Sequence, residues 1–257
     1  MEKSLVLLLI ALLQLSGCAQ ARTRPSSDEY LVERKYYDLS YNEHHEVANW
    51  VSYSLEINQL RNCVKRSNQF RADPLVPTGT AELNDYKNTG FDRGHLLPAG
   101  DMKFDATAMA ETFYFSNIAP QPPTFNRGKW SQLEALVRAW ALKYKKIWII
   151  TGPVLDNSLP QIGSKNLVSV PREFFKVILR KDPIRGYTGI AFLMSIETPY
   201  PTIQAYALDI NTVEKITQID FFNFLGNEEE RVEGHFNPMD WDFKATFDYL
   251  PCTSVAR

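Results

Sequence analysis

Side chains that can do chemistry are concentrated in the stretch Phe91–Leu97, which reads Phe-Asp-Arg-Gly-His-Leu-Leu. The ordinary pKa of a histidine such as His95 is ~6.5, so its neutral ring can accept a proton near neutral pH. Arg93 lies two residues earlier, and in a regular strand its side chain shares a face with His95. A fixed positive charge there lowers the pKa of the histidine and favours an anionic substrate. The stretch therefore predicts a general base beside an anion-binding cation.

A second stretch, Ser116–Glu134, adds oxygen ligands. Its sequence predicts a strand, then a Pro-rich loop, then a helix that begins near Asn126. The amide oxygen of Asn126 and the carboxylate of Glu134 could together hold a hard cation. Magnesium suits so sparse a site because it keeps most of its own waters. A base, a cation and a metal ion together indicate hydrolysis of a phosphodiester bond.

Each of these residues also has an ordinary structural interpretation. Asp92 and Arg93 could form a surface ion pair, and His95 could be a hydrogen-bonded ring in the core. Asn126 could simply cap a helix, which asparagine often does. Trp130 is expected in the core under either interpretation. The functional interpretation is favoured because these residues occur together at fixed spacing.

The two stretches resemble the signature of the DNA/RNA non-specific endonucleases, a family with a ββα-metal (His-Me) core. The resemblance is carried by Asp92-Arg93-Gly94-His95 and then by Asn117, Pro120, Gln121, Asn126, Trp130, Leu133 and Glu134. It implies a metal-dependent endonuclease that cleaves DNA and RNA without strong preference for sequence or sugar. The implied cofactor is Mg²⁺, with Mn²⁺ as a plausible substitute and no organic cofactor.

Carried over by position, the resemblance also implies a role for each residue. His95 would be the general base, and Asn126 the direct metal ligand. Arg93 would contact the scissile phosphate, Asn117 would support the site, and Glu134 would orient water at the metal.

Relatives also place a functional arginine upstream of the first stretch, where this chain offers several without a clean match. Arg66 and Arg71, together with Arg127 beyond the first stretch, are the candidates for substrate binding. The surrounding segment, Gln59–Pro77, is basic. It fits either a solvated surface or a rim that attracts phosphate.

The remaining pattern predicts an α+β fold with a mostly antiparallel central sheet and flanking helices. Predicted strands are Tyr36–Tyr41, Trp50–Leu55, a strand that begins at Gly90-Phe91 and ends before a loop at Leu97, Phe113–Ile118, Ile147–Thr151, Phe174–Leu179, Gly189–Ser195 and Ala205–Ile210. Helices are predicted over 129–146 and from a cap at Asn211 or Thr212 through Ile219. His44 and His45 are expected in a solvated loop or edge strand, and His235 on the surface.

The N-terminal residues predict secretion. Leu5–Leu15 is an apolar run too short to span a bilayer, and Leu15-Ser16-Gly17-Cys18 resembles the lipobox of bacterial lipoproteins. We therefore expect a signal peptide over 1–17, lipidation of Cys18, a polar tether over 18–29 and one domain over 30–257. An ordinary secreted protein cut nearby is the alternative. The expected location is the bacterial cell envelope, anchored by lipid in the outer membrane, or the periplasm or exterior.

Composition and charge narrow the remaining choices. The chain has 257 residues, 44% of them hydrophobic, which is enough for a substantial core. Its net charge of −2 means that any polyanion site must be a local patch. Cys63 and Cys252 could pair in an oxidising compartment or remain buried free thiols. A homodimer is one of the oligomeric states left open.

Two other functional classes remain open from the sequence. The protein could be a catalytically silent nucleic-acid-binding envelope lipoprotein. It could also be a phosphodiesterase that acts on another envelope polyanion.

Overall fold

The computed structural model describes residues 24–25, 30–197 and 199–252. The predicted signal peptide, the lipidation site Cys18 and most of the tether lie outside the described residues. Arg24 is within them, and it donates hydrogen bonds to Glu33 and Asp38 at 2.7 and 3.1 Å. In the described part of the chain, no helix is long and apolar enough to cross a membrane.

A seven-stranded sheet forms the centre of the fold, in the order β1-β2-β3-β6-β9-β10-β11, with every neighbouring pair antiparallel. The prediction of an α+β fold with a mostly antiparallel sheet is confirmed. Its strands are β1 (Tyr30–Glu33), β2 (Tyr37–Asn42), β3 (Val47–Glu56), β6 (Lys146–Pro153), β9 (Glu173–Asp182), β10 (Gly186–Ser195) and β11 (Ala207–Leu208). Two smaller pairs are β4 (Asp92–His95) with β5 (Ile118–Gln121), and β7 (Gln161–Ile162) with β8 (Val168–Ser169).

The sheet is covered on both faces, which explains the nearly continuous apolar runs of its central strands. In β9, Phe174 and Ile178 belong to one buried cluster, whereas Phe175 and Val177 belong to the other. The first cluster is covered by the helix that contains Trp140. The period of two in a strand therefore assigns each residue of β9 to a definite face.

The helices are short except for the one that covers the first face. They are α1 (Leu83–Tyr86), α2 (Ala106–Glu111), α3 (Pro123–Phe125), α4 (Ser131–Tyr144), α5 (Ile210–Thr217) and α6 (Glu229–Glu233). A π-helical turn, Asn126–Trp130, joins α3 to α4. Single 3₁₀ turns occur at Ile57–Gln59, Ala99–Met102, Phe115–Asn117, Ile203–Tyr206, Asn223–Glu228 and Pro238–Asp240.

The predicted strand Phe113–Ile118 is wrong in its position. Residues Phe115–Asn117 form a 3₁₀ turn, and the strand begins at Ile118 and contains Pro120. Proline is tolerated because β5 hydrogen-bonds to β4 alone. The predicted strand Ala205–Ile210 is likewise reduced to the two residues of β11 after a 3₁₀ turn.

Two helix starts also differ from the prediction. The helical segment that contains Asn126 begins at Pro123. Proline is tolerated there because a residue in the first turn of a helix does not need its N–H for a helical hydrogen bond. Asn126 therefore lies one turn inside the helical segment and not at its start. The cap of α5 is Asp209, which accepts a hydrogen bond from the Thr212 backbone N–H, rather than Asn211 or Thr212.

The expected solvation of the two adjacent histidines holds for His44 but not for His45. His45 is buried, and its Nδ1 lies 2.9 Å from the Ser169 hydroxyl. His235 is on the surface, as predicted. Cys63 and Cys252 form a disulfide, which resolves the choice between a pair and free thiols.

Candidate active site

A strand pair followed by a helix positions the two chemical stretches. β4 and β5 are antiparallel, with Asp92 opposite Gln121 and His95 opposite Ile118. The chain leaves β5 and passes at once through α3 and the π-helical turn into α4. The predicted order of strand, loop, strand, loop and helix around the site is therefore present.

Gly94 is required because another side chain occupies the space beside it. A Cβ at Gly94 would lie 2.2 Å from Cδ and Oε1 of Gln121. Gln121 is fully buried, and both polar atoms of its amide lack a hydrogen-bond partner among the described residues. An unsatisfied buried amide is costly in a purely structural setting, which makes this amide a candidate to bind a ligand or water.

His95 is buried, with 7% of its surface exposed, and its ring packs between two aromatic side chains. The ring centroids of Phe70 and Phe113 lie 5.6 and 4.9 Å from that of His95. Nε2 is enclosed and has no hydrogen-bond partner within the described residues, whereas Nδ1 is not enclosed in this way. Solvent can therefore reach the ring at Nδ1.

A guanidinium group lies over each of these two aromatic rings. Arg93 lies over Phe70 at 4.4 Å from the ring centroid, and Arg66 lies over Phe113 at 5.0 Å. Burial, together with the charges of Arg66 and Arg93, lowers the pKa of His95 to about 3. The direction agrees with the sequence prediction, and it keeps the imidazole neutral throughout the ordinary working range of pH.

Asn117 braces the chain just after His95. Its Oδ1 accepts a hydrogen bond from the Leu97 N–H, and its Nδ2 donates to the carbonyls of Leu97 and Thr112 at 3.0 and 2.9 Å. All of its hydrogen bonds go to backbone groups of neighbouring loops. Asn117 thus supports the geometry of the site and does not face the substrate.

Asp92 connects the first strand to the helix. Its Oδ2 accepts a hydrogen bond from Asn126 Nδ2 at 2.9 Å, which leaves Oδ1 of Asn126 available as a ligand. Asp92 also binds Arg127 through two hydrogen bonds of 2.8 and 2.6 Å. The surface ion pair considered from the sequence therefore exists, but with Arg127 in place of Arg93. The Arg127 side chain remains 72% exposed in this pair, and its contact with substrate stays a prediction.

Glu134 lies near a group of buried charges from three elements. Asp101 accepts hydrogen bonds from Tyr53 and Arg138, and Lys176 of β9 donates to the Thr151 hydroxyl at 3.0 Å. Burial raises the pKa of Glu134, while the charges of Arg138 and Lys176 act in the opposite direction. Glu134 accepts no hydrogen bond from any described residue, so its carboxylate is free to hold water.

The donor set fits a magnesium ion of the kind that the sequence predicts. It consists of the Asn126 amide oxygen, the Glu134 carboxylate and the unsatisfied Gln121 amide, all oxygen-bearing groups of the type that Mg²⁺ prefers. No cluster of three or more His, Cys, Asp or Glu side chains in the described chain could hold a metal ion. A site with one direct protein ligand would not produce such a cluster.

The structure distinguishes among the arginines that the sequence left equivalent. Arg66 is the one whose charge affects both His95 and Glu134. Arg71 lies over the Tyr114 ring at 4.0 Å and donates to the Gln69 carbonyl, beside the site and not within it. Trp130 is in the core, as expected.

Sequence reasoning missed the residues that support the site. These are Phe70, Phe113, Asp101, Arg138 and Lys176. A signal existed for Arg138 alone, because it lies four residues after Glu134 on the same helix.

The fold matches that of a solved nuclease. The crystal structure of the EndoG/EndoGI complex aligns with a TM-score of 0.72 and 29% sequence identity, over 80% of this chain and 90% of that chain. The protein therefore has an EndoG-like α+β nuclease fold.

Sequence comparisons identify the family. The family model described as DNA/RNA non-specific endonuclease matches residues 17–227, so the chain belongs to that family, whose members are hydrolases acting on nucleic acids. Nuclease C1 of Cunninghamella echinulata is 34% identical over 220 residues, covering 78% of this chain and 86% of its own length. A nuclease of Nostoc sp. is 30% identical over 230 residues, covering 85% of this chain and 82% of its own length. Mitochondrial nuclease EXOG of Danio rerio is 33% identical over 216 residues, covering 77% of this chain but only 63% of that protein.

Proposed function

We propose that the protein is a magnesium-dependent endonuclease that hydrolyses phosphodiester bonds in both DNA and RNA, with His95 as general base. The observation that carries this proposal is the neutral, buried imidazole of His95, which packs against two aromatic rings that each have a guanidinium group over them. A base that stays unprotonated can take a proton from the attacking water, and fixed cations beside it can bind the phosphate anion.

In the proposed reaction, the neutral His95 ring takes a proton at Nδ1 from a water molecule whose oxygen attacks phosphorus. The bond from phosphorus to the oxygen in line with the attack breaks, and this departing oxygen takes a proton from a second water molecule. Arg93 and Arg66 bind the phosphate and stabilise the charge that develops on it. Because the bound phosphate offsets the two guanidinium charges, the pKa of His95 rises when substrate is present, and the ring becomes a stronger base.

The hydrogen bond from Asn126 Nδ2 to Asp92 holds the amide and leaves its oxygen available as a ligand, and Glu134 orients water at the site. A magnesium ion held by Asn126 would supply positive charge for the phosphate and the leaving oxygen. Mn²⁺ would serve as a substitute. Support for this assignment is the donor set described above.

The test is cleavage of plasmid DNA and RNA by purified protein in magnesium, with an EDTA control. His95→Ala and Asn126→Ala should each lower the rate by about two to four orders of magnitude while the circular dichroism spectrum stays native. His235→Ala, which changes an exposed histidine, is the matched control. Near-normal cleavage by either site variant would defeat the assignment of that residue.

The same assay separates the alternatives. A silent nucleic-acid-binding protein would bind both polymers without cleaving them. A phosphodiesterase for another polyanion would hydrolyse a chromogenic phosphodiester but leave DNA and RNA intact.

We also propose that the protein works at the bacterial cell envelope, anchored through lipidated Cys18. Support comes from the lipobox-like residues and from the Cys63–Cys252 disulfide, a bond typical of oxidising compartments. Cys18→Ser should move the protein from the membrane fraction to the soluble fraction. Unchanged membrane association would contradict the anchor.

A further inference from the structure

A groove runs from the site along α1. It consists of two cavities of about 350 and about 380 Å³, which share Leu83 and Asn84 as lining residues. The first cavity is lined in part by Arg93, the residue proposed to contact the scissile phosphate. The second is lined in part by Arg71. We call the two together the side groove.

The charges along the side groove favour an anion. Within the described residues, no carboxylate lies within ion-pair distance of Arg71, Lys87 or Arg93, all of which line it. Its two carboxylates, by contrast, are each neutralised by a partner outside the groove. Asp92 is paired with Arg127 at 2.6 Å, and Glu82 with a lysine at 2.5 Å.

The wall between these cations is apolar. Leu83 is 50% exposed although it is a large hydrophobic residue, and Phe91 and Phe70 are half-buried at the two cavities. Tyr86 also lines the first cavity, and its buried hydroxyl has no hydrogen-bond partner within the described residues. An apolar wall set among cations matches a flat base joined to a phosphate backbone.

We propose that the side groove is a subsite for an unpaired nucleotide next to the scissile phosphate, with the base against Leu83 and Phe91 and the flanking phosphate near Lys87. This inference rests on the proposed nuclease function and adds a preference to it. In a duplex the bases are stacked inside the helix, so the apolar wall can contact a base only in a single strand or a locally opened duplex. The enzyme should therefore cleave single-stranded nucleic acid more efficiently than the same sequence in a duplex.

The test compares kcat/KM for a single-stranded oligonucleotide and its duplex form, using the full-length protein in magnesium. Leu83→Ala should lower kcat/KM about fivefold on the single strand and less than twofold on the duplex, because base contacts are lost only in the first. Ile184→Ala is the matched control, because Ile184 is 94% exposed in the turn between β9 and β10 and lines neither cavity.

Lys87→Ala gives a second readout that a structural role would not change. Loss of one phosphate contact should reduce the slope of log(kcat/KM) against log salt concentration by about 1. Lys181→Ala, an exposed lysine at the end of β9, should leave that slope unchanged.

The outcomes distinguish the two proposals. If the wild-type protein cleaves neither form, the proposed nuclease function fails. If it cleaves normally but Leu83→Ala affects both forms equally, or Lys87→Ala keeps the wild-type salt slope, then the nuclease function stands and the subsite is refuted.

Discussion

The burial of His95 predicts a specific dependence of stability on pH. Its pKa falls from 6.5 to about 3 in the folded protein. Because the unfolded chain binds this proton more readily, acid favours unfolding. The contribution of His95 is fully present above pH 6.5 and is lost as pH falls toward 3. A difference of about 3.5 pKa units corresponds to about 5 kcal/mol once the pH lies well below 3, and to about 2 kcal/mol between pH 6.5 and 4.5.

The measurement is urea unfolding of the wild type and of His95→Gln at pH 6.5 and pH 4.5. The loss of unfolding free energy on acidification should be about 2 kcal/mol smaller in the variant, because glutamine does not titrate. Only the change with pH is compared, so any packing defect from the substitution cancels. The matched control is His235→Gln, which removes an exposed histidine outside the site.

Equal losses in the wild type and in His95→Gln would refute the reasoning. They would mean that the folded protein binds a proton at His95 as readily as the unfolded chain does. The imidazole could then no longer be assigned as a base kept neutral by burial and by the charges of Arg66 and Arg93.

Three further predictions concern other parts of the molecule. Asp92→Ala should raise the magnesium concentration needed for half-maximal activity about 10- to 100-fold, because the acceptor that orients Asn126 is lost. Arg127→Ala keeps the hydrogen bond between Asn126 and Asp92 and should change this magnesium concentration little. Equal effects of the two variants would contradict the proposed role of Asp92. Reducing the disulfide, whose cysteines are 189 residues apart, should lower the free energy of unfolding by up to about 5 kcal/mol, and an unchanged urea midpoint in reductant would disprove this. Burial and nearby carboxylates raise the pKa of Glu233 from its ordinary value of 4.5 to about 8. The folded protein therefore binds this proton more tightly than the unfolded chain, and the free energy of unfolding should fall as pH rises from 4.5 to 8. Glu233→Gln keeps an acceptor for the Phe222 N–H and should reduce this loss of unfolding free energy, measured by urea unfolding at several pH values. The same dependence on pH in the variant and in the wild type would show that ionisation of Glu233 does not destabilise the fold.

The sequence was most informative where one strand or one loop carries the whole signal. The spacing around His95 and Asn126 predicted the order of two strands and a helix, alternating residues predicted β3, and apolar runs predicted β6, β9 and β10. Errors occurred where short-range preference competed with tertiary contacts. Phe113 and Phe115 have strand-like composition, yet Phe115–Asn117 form a 3₁₀ turn and both rings are fully buried. Pro120 occurs in a strand because that strand has one hydrogen-bonded neighbour, which a single sequence does not show.

The arginines illustrate a second limit of the sequence. Arg66 and Arg71 are five residues apart in one basic segment, and no local rule separates them. The structure does, because Arg66 lies over Phe113 beside His95, whereas Arg71 lies over Tyr114 outside the site. The discriminating feature is the aromatic ring beneath each guanidinium, and those rings come from a segment more than forty residues away.

The charges near Glu134 were the least predictable part of the site, although they affect its chemistry directly. Asp101, Arg138 and Lys176 come from a loop, a helix and a strand of the central sheet. In β9, Lys176 shares the face of Phe174 and Ile178, so the alternation of that strand directs a fully buried lysine under α4. The cations Arg138 and Lys176 lie near the carboxylates Asp101 and Glu134. Both cations oppose the rise in the pKa of Glu134 that burial causes. We infer that the large sheet does more than hold the strand–strand–helix site in place, because through Lys176 it also helps to keep Glu134 charged.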